Sequence, residues 1–475
     1  MNIIKHTDSY KLSHFKQYPE NVKYVSSYIE ARTHKNAEYP VNGIVFFGLQ
    51  AFVKKYLMDG HFLPRDIDLA AKVAKLHGVP FNEEGWRYIF AEHEGRLPII
   101  VEGLREGSVV PFRTPMVQIH NTDPNVPWLT SYLETALLRA IWYPTTVATL
   151  SYNVKRMMKV FWDATVDRDT DAYNGLDWAL HDFGARGVSS QESAELGAMG
   201  HLLVFNGSDT FEALYAADRW YPEQVINGKS TGKWIPFFTD YVAGGSVPAA
   251  EHSTITSWGP EAEDQAFSNM IDQFGEGTYS VVSDSYDIFD AVRRITSGEL
   301  LEKIKAKGGR FVIRPDSGDP VTVIRRCLGI IENNIGEEIK TNGRGYKVLP
   351  KYLRIIQGDG CDYWNIHRIL KEMQADGWSA ENFVFGMGGA LLQKVDRDTL
   401  SFAMKCNAVS EDMKNWTPVF KKPVTDKDKI SRAGRIQDDR LKLYYLDGLM
   451  YTSEAFSSVK KRVNNSLHSE EDSIE

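Results

Sequence analysis

The sequence predicts an α/β fold: a (β/α) barrel accompanied by a second, β-rich α+β domain. Short apolar runs in the second half of the chain end in an acidic residue or a glycine and alternate with helical patterns, as in a parallel sheet with crossover helices. The runs are 279–284, 310–316, 352–359 and 382–386, and the helical segments are 287–306, 319–334 and 362–376. No G-x-G-x-x-G sequence follows an early strand, which disfavours the competing open, doubly wound sheet.

The first 130 residues mix helical and strand-like patterns. A helix is predicted at 64–78, where a proline opens the segment and a glycine ends it. Its apolar stripe consists of Ile67, Ala70, Ala71, Ala74 and Leu76. A second helix is predicted at about 127–142, and the hairpin-like pattern at 441–448 indicates strands near the end of the chain.

The composition limits the number of domains, the partners and the cellular compartment that we expect for this protein. A chain of 475 residues with 43% apolar residues suits a globular protein of two or three domains. We expect residues 1–140 and 400–475 to form the β-rich domain and residues 141–399 the barrel. The net charge of −8 disfavours nucleic acid and anionic membranes as partners. Three cysteines without a C-x-x-C pair, and no apolar run of about 18 residues, predict a cytoplasmic protein without a membrane span.

Polar side chains follow the predicted strands. Asp284, Arg314, Asp316 and Asp359 stand at strand ends, and the carboxyl ends of barrel strands line one mouth. An arginine suits bidentate recognition of phosphate, and a carboxylate two residues later suits ribose hydroxyls or Mg²⁺. An ordinary turn with a salt bridge is the alternative explanation.

Three segments combine glycines with functional side chains. Residues 181–187 hold a histidine, an aromatic residue and an arginine, although a strand-to-helix turn would explain their glycines equally well. In 244–252, His252 follows Glu251 in a loop of small residues. A carboxylate that fixes its tautomer would make this histidine a candidate nucleophile or base, and a structural histidine is the alternative. The glycines of 386–389 suit contact with phosphate.

Several common ligand motifs are absent from the sequence. Residues 228–233 read Gly-Lys-Ser-Thr-Gly-Lys, but a P-loop would need glycine at position 223, which is glutamate. The pattern assigns no function to the surrounding segment, 221–238. With no H-E-x-x-H and no cluster of histidine and cysteine, the expected metal is Mg²⁺, held largely through substrate phosphates.

The longer motifs resemble those of the nicotinamide phosphoribosyltransferase family, in order and over nearly the whole chain. They are 7–10, 181–187, 207–210, 246–254, 313–318, 357–360 and 388–393. The resemblance implies a type II phosphoribosyltransferase fold and a homodimer with active sites at the subunit interface. It also implies transfer of phosphoribosyl from phosphoribosyl pyrophosphate to nicotinamide, giving nicotinamide mononucleotide and diphosphate in NAD salvage. Mg²⁺ assists, and ATP stimulates the reaction as a co-substrate through a phosphohistidine.

The same resemblance implies roles for individual residues. Phe183 matches the residue that stacks on the nicotinamide ring, Tyr10 the residue that closes its other face from the partner subunit, and Asp209 the ligand of the carboxamide nitrogen. Arg186 and Arg314 match cations on the ring side and at the diphosphate. The other substrate-site residues are Ser246, Arg354, Gly358, Asp359, Gly388, Gly389 and Lys429, with Arg397 and Lys405 as phosphate ligands across the dimer. The catalytic group is His252, the phosphorylated histidine, with Glu251, Asp284 and Asp316.

The chain departs from the family pattern at three places, one of which is a shorter segment after Arg32. Ala403 stands where a serine is expected beside the phosphate site, so one hydroxyl contact is missing. The segment between Asp209 and Ser246 is longer than expected. Three other functions remain open: a nicotinate phosphoribosyltransferase, which Asp209 disfavours; a binding protein without activity; and a barrel aldolase, for which no Schiff-base lysine stands at an identified strand end.

Overall fold

The computed structural model describes residues 2–223 and 241–469. The segment 228–233 and most of 221–238, which the sequence left without a function, lie outside the described residues. The strands are β1 Tyr24–Ala31, β2 Ile44–Val45, β3 Ile99–Gly103, β4 Val109–Val110, β5 Val117–Asn121, β6 Leu180–Asp182, β7 Gly207–Ser208, β8 Thr278–Val282, β9 Arg310–Arg314, β10 Lys340–Thr341, β11 Lys347–Val348, β12 Leu353–Gln357, β13 Phe383–Met387, β14 Phe402–Ser410, β15 Trp416–Pro418, β16 Lys442–Leu446 and β17 Leu449–Met450.

Helices occupy the intervening segments. The α-helices are Leu49–Phe52, Pro64–His77, Glu83–Glu92, Leu129–Tyr132, Glu134–Thr165, Asp171–Asn174, Gln191–Leu202, Phe211–Trp220, His252–Thr256, Glu263–Phe274, Ile288–Ile295, Gly298–Lys307, Pro320–Ile335, Tyr363–Ala375, Gly389–Leu392 and Phe456–Ser469. Among the described residues, none of these helices is long and apolar enough to cross a membrane.

A parallel sheet forms the barrel. Within the described residues its strand order is β7-β6-β13-β12-β9-β8. The segment 245–249 joins the two edges, because Gly245 bridges to Gly207 and Ala249 bridges to Ser280, both in parallel. The sheet therefore curves into a ring, and the carboxyl ends of its strands face one mouth.

The second sheet is antiparallel and draws its strands from distant parts of the chain. Its order is β15-β14-β1-β5-β3-β16-β17 in the part of the chain that the structure describes. The barrel and the antiparallel sheet together confirm the predicted fold class, and the predicted runs in the second half of the chain do become strands β8, β9, β12 and β13.

The helix Glu134–Thr165 connects the two sheets. The buried apolar side chains between Leu133 and Ile141 belong to the core of the antiparallel sheet, whereas those between Tyr143 and Val166 belong to the core of the barrel. Thr149 Oγ1 accepts the Val45 N–H at 3.0 Å, so this helix also satisfies a backbone donor of β2. The domain boundary predicted between residues 140 and 141 falls inside this helix and stays a prediction.

Three predicted helices need correction. The segment predicted as one helix at about 127–142 forms Leu129–Tyr132 and the start of Glu134–Thr165. The second helix continues through Pro144, because burial of its later turns against the barrel outweighs the lost hydrogen bond. The segment 287–306 forms two helices, Ile288–Ile295 and Gly298–Lys307, which are separated by Thr296 and Ser297. Gly298, the first residue of the second helix, has a left-handed φ of 57°. In the helix Pro64–His77, Ile67 and Ala74 are buried as predicted, but Leu76 is 80% exposed because two positions along a helix bring it to the opposite side from Ala74.

Candidate active site

An aromatic wall stands at the mouth of the barrel. Phe183 follows β6, and its backbone N–H donates to the carbonyl of Met387 at 3.0 Å. Its ring lies against Gly386, where the Cβ atom of any other residue would stand 2.0 Å from the ring's Cε2 atom. A glycine at this position therefore allows the ring to lie across the strand end, where it lines a cavity.

A carboxylate and a hydroxyl stand beside this wall. Ser246 Oγ donates to Asp209 Oδ1 at 2.5 Å, and the Asp209 side chain is exposed to the mouth. His181 is buried nearby, and burial lowers the pKa of its imidazole, which keeps it neutral near pH 7. The Asp209 carboxylate and the ring of Phe183 line the same cavity of about 280 Å³.

The cavity continues into the barrel. Arg310, Arg354 and Glu381 line its inner part. Arg354 stands near the amino end of β12, and its Nη1 atom donates to the carbonyl oxygens of Leu349 and Pro350 at 3.1 and 3.0 Å. Burial lowers the pKa of Arg354 to about 10, so the guanidinium remains charged at neutral pH. Its predicted contact with substrate stays a prediction, and it stands at the other end of its strand from Gly358.

A second group of side chains surrounds His252 at the same mouth. The Nε2 atom of His252 lies 3.7 Å from Asp284 Oδ1 and 3.6 Å from Asp316 Oδ2. The Nδ1 atom lies 3.3 Å from Ser285 Oγ, a contact that the sequence analysis missed although Ser285 directly follows a strand-end aspartate. Sequence adjacency suggested Glu251 as the partner of the imidazole. In the structure Glu251 is instead the N-cap of the helix His252–Thr256, so the carboxylates that face the ring come from strand ends.

Asp284 anchors this group. Its Oδ2 atom accepts the Asp316 N–H at 3.0 Å and the Ser317 hydroxyl at 2.5 Å. Its Oδ1 atom is buried and has no hydrogen-bond partner among the described residues. A buried carboxylate oxygen without a donor is costly unless a cation or proton occupies the space beside it, and this fits a Mg²⁺ ion brought by a substrate.

A cation and several glycines complete the mouth. The Nε atom of Arg314 lies 4.0 Å from Asp316 Oδ1 and is buried without a hydrogen-bond partner in the described part of the chain. Gly358 lies against the same region, since a Cβ atom there would stand 3.5 Å from Asp316 Oδ1. The remaining predicted mouth residues are Asp359 after β12, Gly388 and Gly389 after β13, and the exposed Arg186 after β6.

Tyr10, Arg397, Lys405 and Lys429 lie apart from this mouth. None of the four is among the described residues that line the cavity. Tyr10 is 61% exposed on the short helix Ser9–Lys16. Its neighbour Lys11 is buried and pairs with Glu134 at 2.6 Å, which fixes the segment to the rest of the subunit.

Lys405 lies on β14 close to other cations. Burial, and then the charges of Arg32 and Lys421, lower the pKa of its ammonium group. Sequence reasoning missed Arg32, although it directly follows β1 and its Nε atom donates to the carbonyl of Ser401 at 3.0 Å. Ala403, in the same strand, is buried.

Comparison with known proteins places the chain in a family. Residues 178–452 match the model of the nicotinate phosphoribosyltransferase (NAPRTase) family, and residues 2–101 match the nicotinamide phosphoribosyltransferase N-terminal domain. A nicotinamide phosphoribosyltransferase of Xanthomonas campestris is 46% identical over 92% of this chain and 87% of its own length. The chain belongs to the nicotinamide phosphoribosyltransferase family. A second member, from Mycoplasma pneumoniae, is 31% identical over 91% of this chain and 95% of its own length.

Solved structures support the fold of this family member. The nicotinate-nucleotide pyrophosphorylase of Pyrococcus furiosus has a TM-score of 0.56 at 15% identity, covering 98% of this chain and 95% of its own. Human nicotinic acid phosphoribosyltransferase has a TM-score of 0.54 at 15% identity, covering 97% and 93%. At this identity the likeness concerns the fold, which is that of the type II phosphoribosyltransferases.

Proposed function

We propose that this enzyme transfers the phosphoribosyl group of phosphoribosyl pyrophosphate to nicotinamide. The products are nicotinamide mononucleotide and diphosphate, in NAD salvage. The observation that carries the proposal is the pairing of an aromatic wall, Phe183, with the Asp209 carboxylate in one cavity. Nicotinamide presents a flat ring and a neutral carboxamide with two N–H donors, and an aspartate carboxylate is an acceptor only.

The residues at the mouth suit an N-glycosyl transfer. Departure of diphosphate from C1 leaves an oxocarbenium-like centre, which the pyridine nitrogen attacks from the opposite face. The enzyme's contribution is orientation and stabilisation of charge. Arg314 would hold the departing diphosphate, and Asp284 and Asp316 would help to hold Mg²⁺. This ion would neutralise charge on the phosphates.

We also propose that ATP phosphorylates His252 and thereby drives substrate capture. The support is geometric: two carboxylates at 3.6–3.7 Å from Nε2 orient the imidazole, and the ring stands at the mouth, 44% exposed. Orientation of a histidine by a carboxylate sets which nitrogen carries the proton.

The active unit that we propose is a homodimer in the cytoplasm. Tyr10 is exposed on a rigidly held segment and does not line its own subunit's cavity, which suits a residue that closes the partner's site. Arg397, Lys405 and Lys429 would bind phosphate across the interface in the same way. Three free cysteines suit a reducing compartment.

Nicotinate is the second candidate substrate, because the family model that covers the barrel is that of the nicotinate enzymes. Mass spectrometry of the products from phosphoribosyl pyrophosphate with each base in turn separates the two. We expect nicotinamide mononucleotide as the main product. Preferential formation of nicotinate mononucleotide would support the second candidate, and no nucleotide from either base would contradict both.

A further inference from the structure

Asp182 is a buried carboxylate that the proposed chemistry does not use. It ends β6, has a relative exposure of 0%, and does not line the cavity. Its Oδ1 atom accepts the Gly184 N–H at 2.7 Å. Its Oδ2 atom accepts the hydroxyls of Ser208 at 3.0 Å and Thr210 at 2.6 Å.

The three donors lie on the two loops that form the proposed base pocket. Gly184 directly follows Phe183, the aromatic wall. Ser208 and Thr210 stand on either side of Asp209, whose own N–H donates to the Asp182 carbonyl at 2.9 Å. The carboxylate therefore connects the loop after β6 with the loop after β7 immediately beneath the cavity.

Burial of the Asp182 carboxylate costs free energy of folding. Burial raises the pKa of the Asp182 carboxyl, and the bonds from Thr210, Gly184 and Ser208 offset only part of this effect. All three donors are neutral, and the nearby Asp209 carboxylate repels a second negative charge. An asparagine would fill the same volume without a buried charge. A carboxylate differs from the asparagine amide because both of its oxygen atoms accept hydrogen bonds strongly. It can therefore hold two loops at the same time, whereas the single oxygen of an amide would hold one.

We propose that Asp182 is a positioning residue for the base: it sets the distance and angle between the ring of Phe183 and the carboxylate of Asp209. This inference rests on the proposed function, since these two residues are the proposed nicotinamide contacts. Arg314 and the glycines at the phosphoribosyl site stand on other strands, so loss of the Asp182 bonds should weaken nicotinamide selectively.

The sharpest variant is Thr210→Val, which keeps the shape of the side chain and deletes one of the three donors. Thr210→Ser restores the hydroxyl and is the matched control. Asp182→Asn is the direct variant, and circular dichroism establishes whether it folds. Michaelis constants for nicotinamide and for phosphoribosyl pyrophosphate are measured separately for each protein at a temperature where all are folded.

We expect Thr210→Val to raise the Michaelis constant for nicotinamide about tenfold, the usual effect of losing one bond to a charged group. The constant for phosphoribosyl pyrophosphate should change by less than about twofold, and Thr210→Ser should behave as the wild type. A folded Asp182→Asn should show the same selective increase, and if it does not fold, the two threonine variants decide.

Parallel changes in both constants, or no change, in Thr210→Val would overturn the inference while leaving the proposed function intact. A Thr210→Ser variant as impaired as the valine variant would also overturn it. If the wild-type enzyme forms no nicotinamide mononucleotide, the proposed function fails first and the inference fails with it.

Discussion

Asp209 accepts a hydrogen bond from Ser246 and precedes Thr210, the N-cap residue of the helix Phe211–Trp220. Its side chain is thus available to a ligand rather than used as a helix cap. A nicotinate carboxylate about 4 Å away would be repelled by roughly 4 kcal/mol at an effective dielectric constant of 20, or about a thousandfold.

We therefore expect Asp209→Ser to narrow the ratio of kcat/KM for nicotinamide over nicotinate by at least about tenfold, because the substitution deletes that repulsion. The matched control is Glu212→Ser, which removes a carboxylate from the first turn of the following helix and should leave the ratio unchanged. A full wild-type ratio in Asp209→Ser would show that another residue selects the base.

Arg314 and Arg186 differ sharply in surroundings. Arg314 is largely buried beside Asp316, and Arg186 is exposed. We expect Arg314→Ala to cost about 2–4 kcal/mol of transition-state stabilisation, mostly in kcat, because diphosphate gains charge as it leaves. Arg186→Ala should cost less. Steady-state kinetics of both variants would contradict this ranking if the two losses were equal and confined to KM.

Replacement of His252 tests whether ATP hydrolysis is coupled to nucleotide synthesis. We expect His252→Ala to abolish ATP hydrolysis and to leave slow synthesis of nicotinamide mononucleotide, because the mouth residues for base and diphosphate remain in place. The measurement follows phosphate release and nucleotide formation in one reaction. Hydrolysis of ATP in step with product by this variant would remove His252 from the proposed role.

At the scale of single residues, sequence reasoning placed strand-end side chains well. Asp284, Arg314 and Asp316 stand at one mouth because parallel strands share a carboxyl edge, which the βα repetition already implies. The roles of Asp182 and Ser285 were not predicted, because these residues make contacts with residues 26–33 positions away in the sequence. The periodicity of a sequence does not reveal such contacts.

At the scale of elements, the helix Leu49–Phe52 depends on a buried acid. Glu106 Oε1 accepts the N–H of Gly48 at 2.5 Å and the hydroxyl of Tyr221 at 3.2 Å. Burial raises the pKa of Glu106 to about 7. Since the folded pKa lies above the unfolded value, its contribution to stability is full below about pH 4.5 and is lost as the pH rises through about 7.

We accordingly expect Glu106→Gln, which keeps an acceptor oxygen but cannot ionise, to remove up to about 2 kcal/mol of the pH dependence of stability between pH 5.5 and pH 8. Urea unfolding of both proteins at pH 5.5 and pH 8 measures it, and the variant should gain relative stability at the higher pH. An unchanged difference between the two pH values would show that Glu106 does not titrate in this range. Glu102→Gln, on the partly exposed β3, serves as the control.

Element boundaries were harder to predict than element types. The helix that crosses from one core to the other continues through Pro144, where the local rule predicts an interruption. The helix continues because its apolar side chains are buried in the core of the antiparallel sheet at one end and in the core of the barrel at the other. The barrel strands that bury the later turns lie far away in the sequence, so a local pattern does not reveal them.

At the scale of the whole molecule, the proposed dimer makes a sharp prediction about complementation. Tyr10→Ala and Phe183→Ala should each be weak enzymes. If Tyr10 serves the partner's site, exchange of subunits between the two variants creates mixed dimers that have one intact active site. Random exchange makes about half of the dimers mixed, so we expect about a quarter of the wild-type activity to be restored. Sedimentation establishes that dimers form. An active monomer, or no restoration despite proven exchange, would contradict the shared site.

The overall architecture could be predicted only in part from the sequence. The barrel follows from repeated strand and helix patterns in consecutive order. The antiparallel sheet does not, because β1 pairs with β5 and with β14, and no local pattern selects partners so far apart.

That long-range pairing has a consequence for synthesis on the ribosome. Ala31 pairs with Phe402, so one edge of β1 waits for roughly 370 further residues to be translated, about 20–70 s at 5–20 residues per second, whereas its other edge can pair early with β5. The last barrel strand ends at Met387, before β14 begins. All the described strands of the barrel are thus translated while the edge of β1 that pairs with β14 still lacks its partner. We expect the chain to depend most on chaperones during that interval, because an unpaired strand edge can pair with other chains.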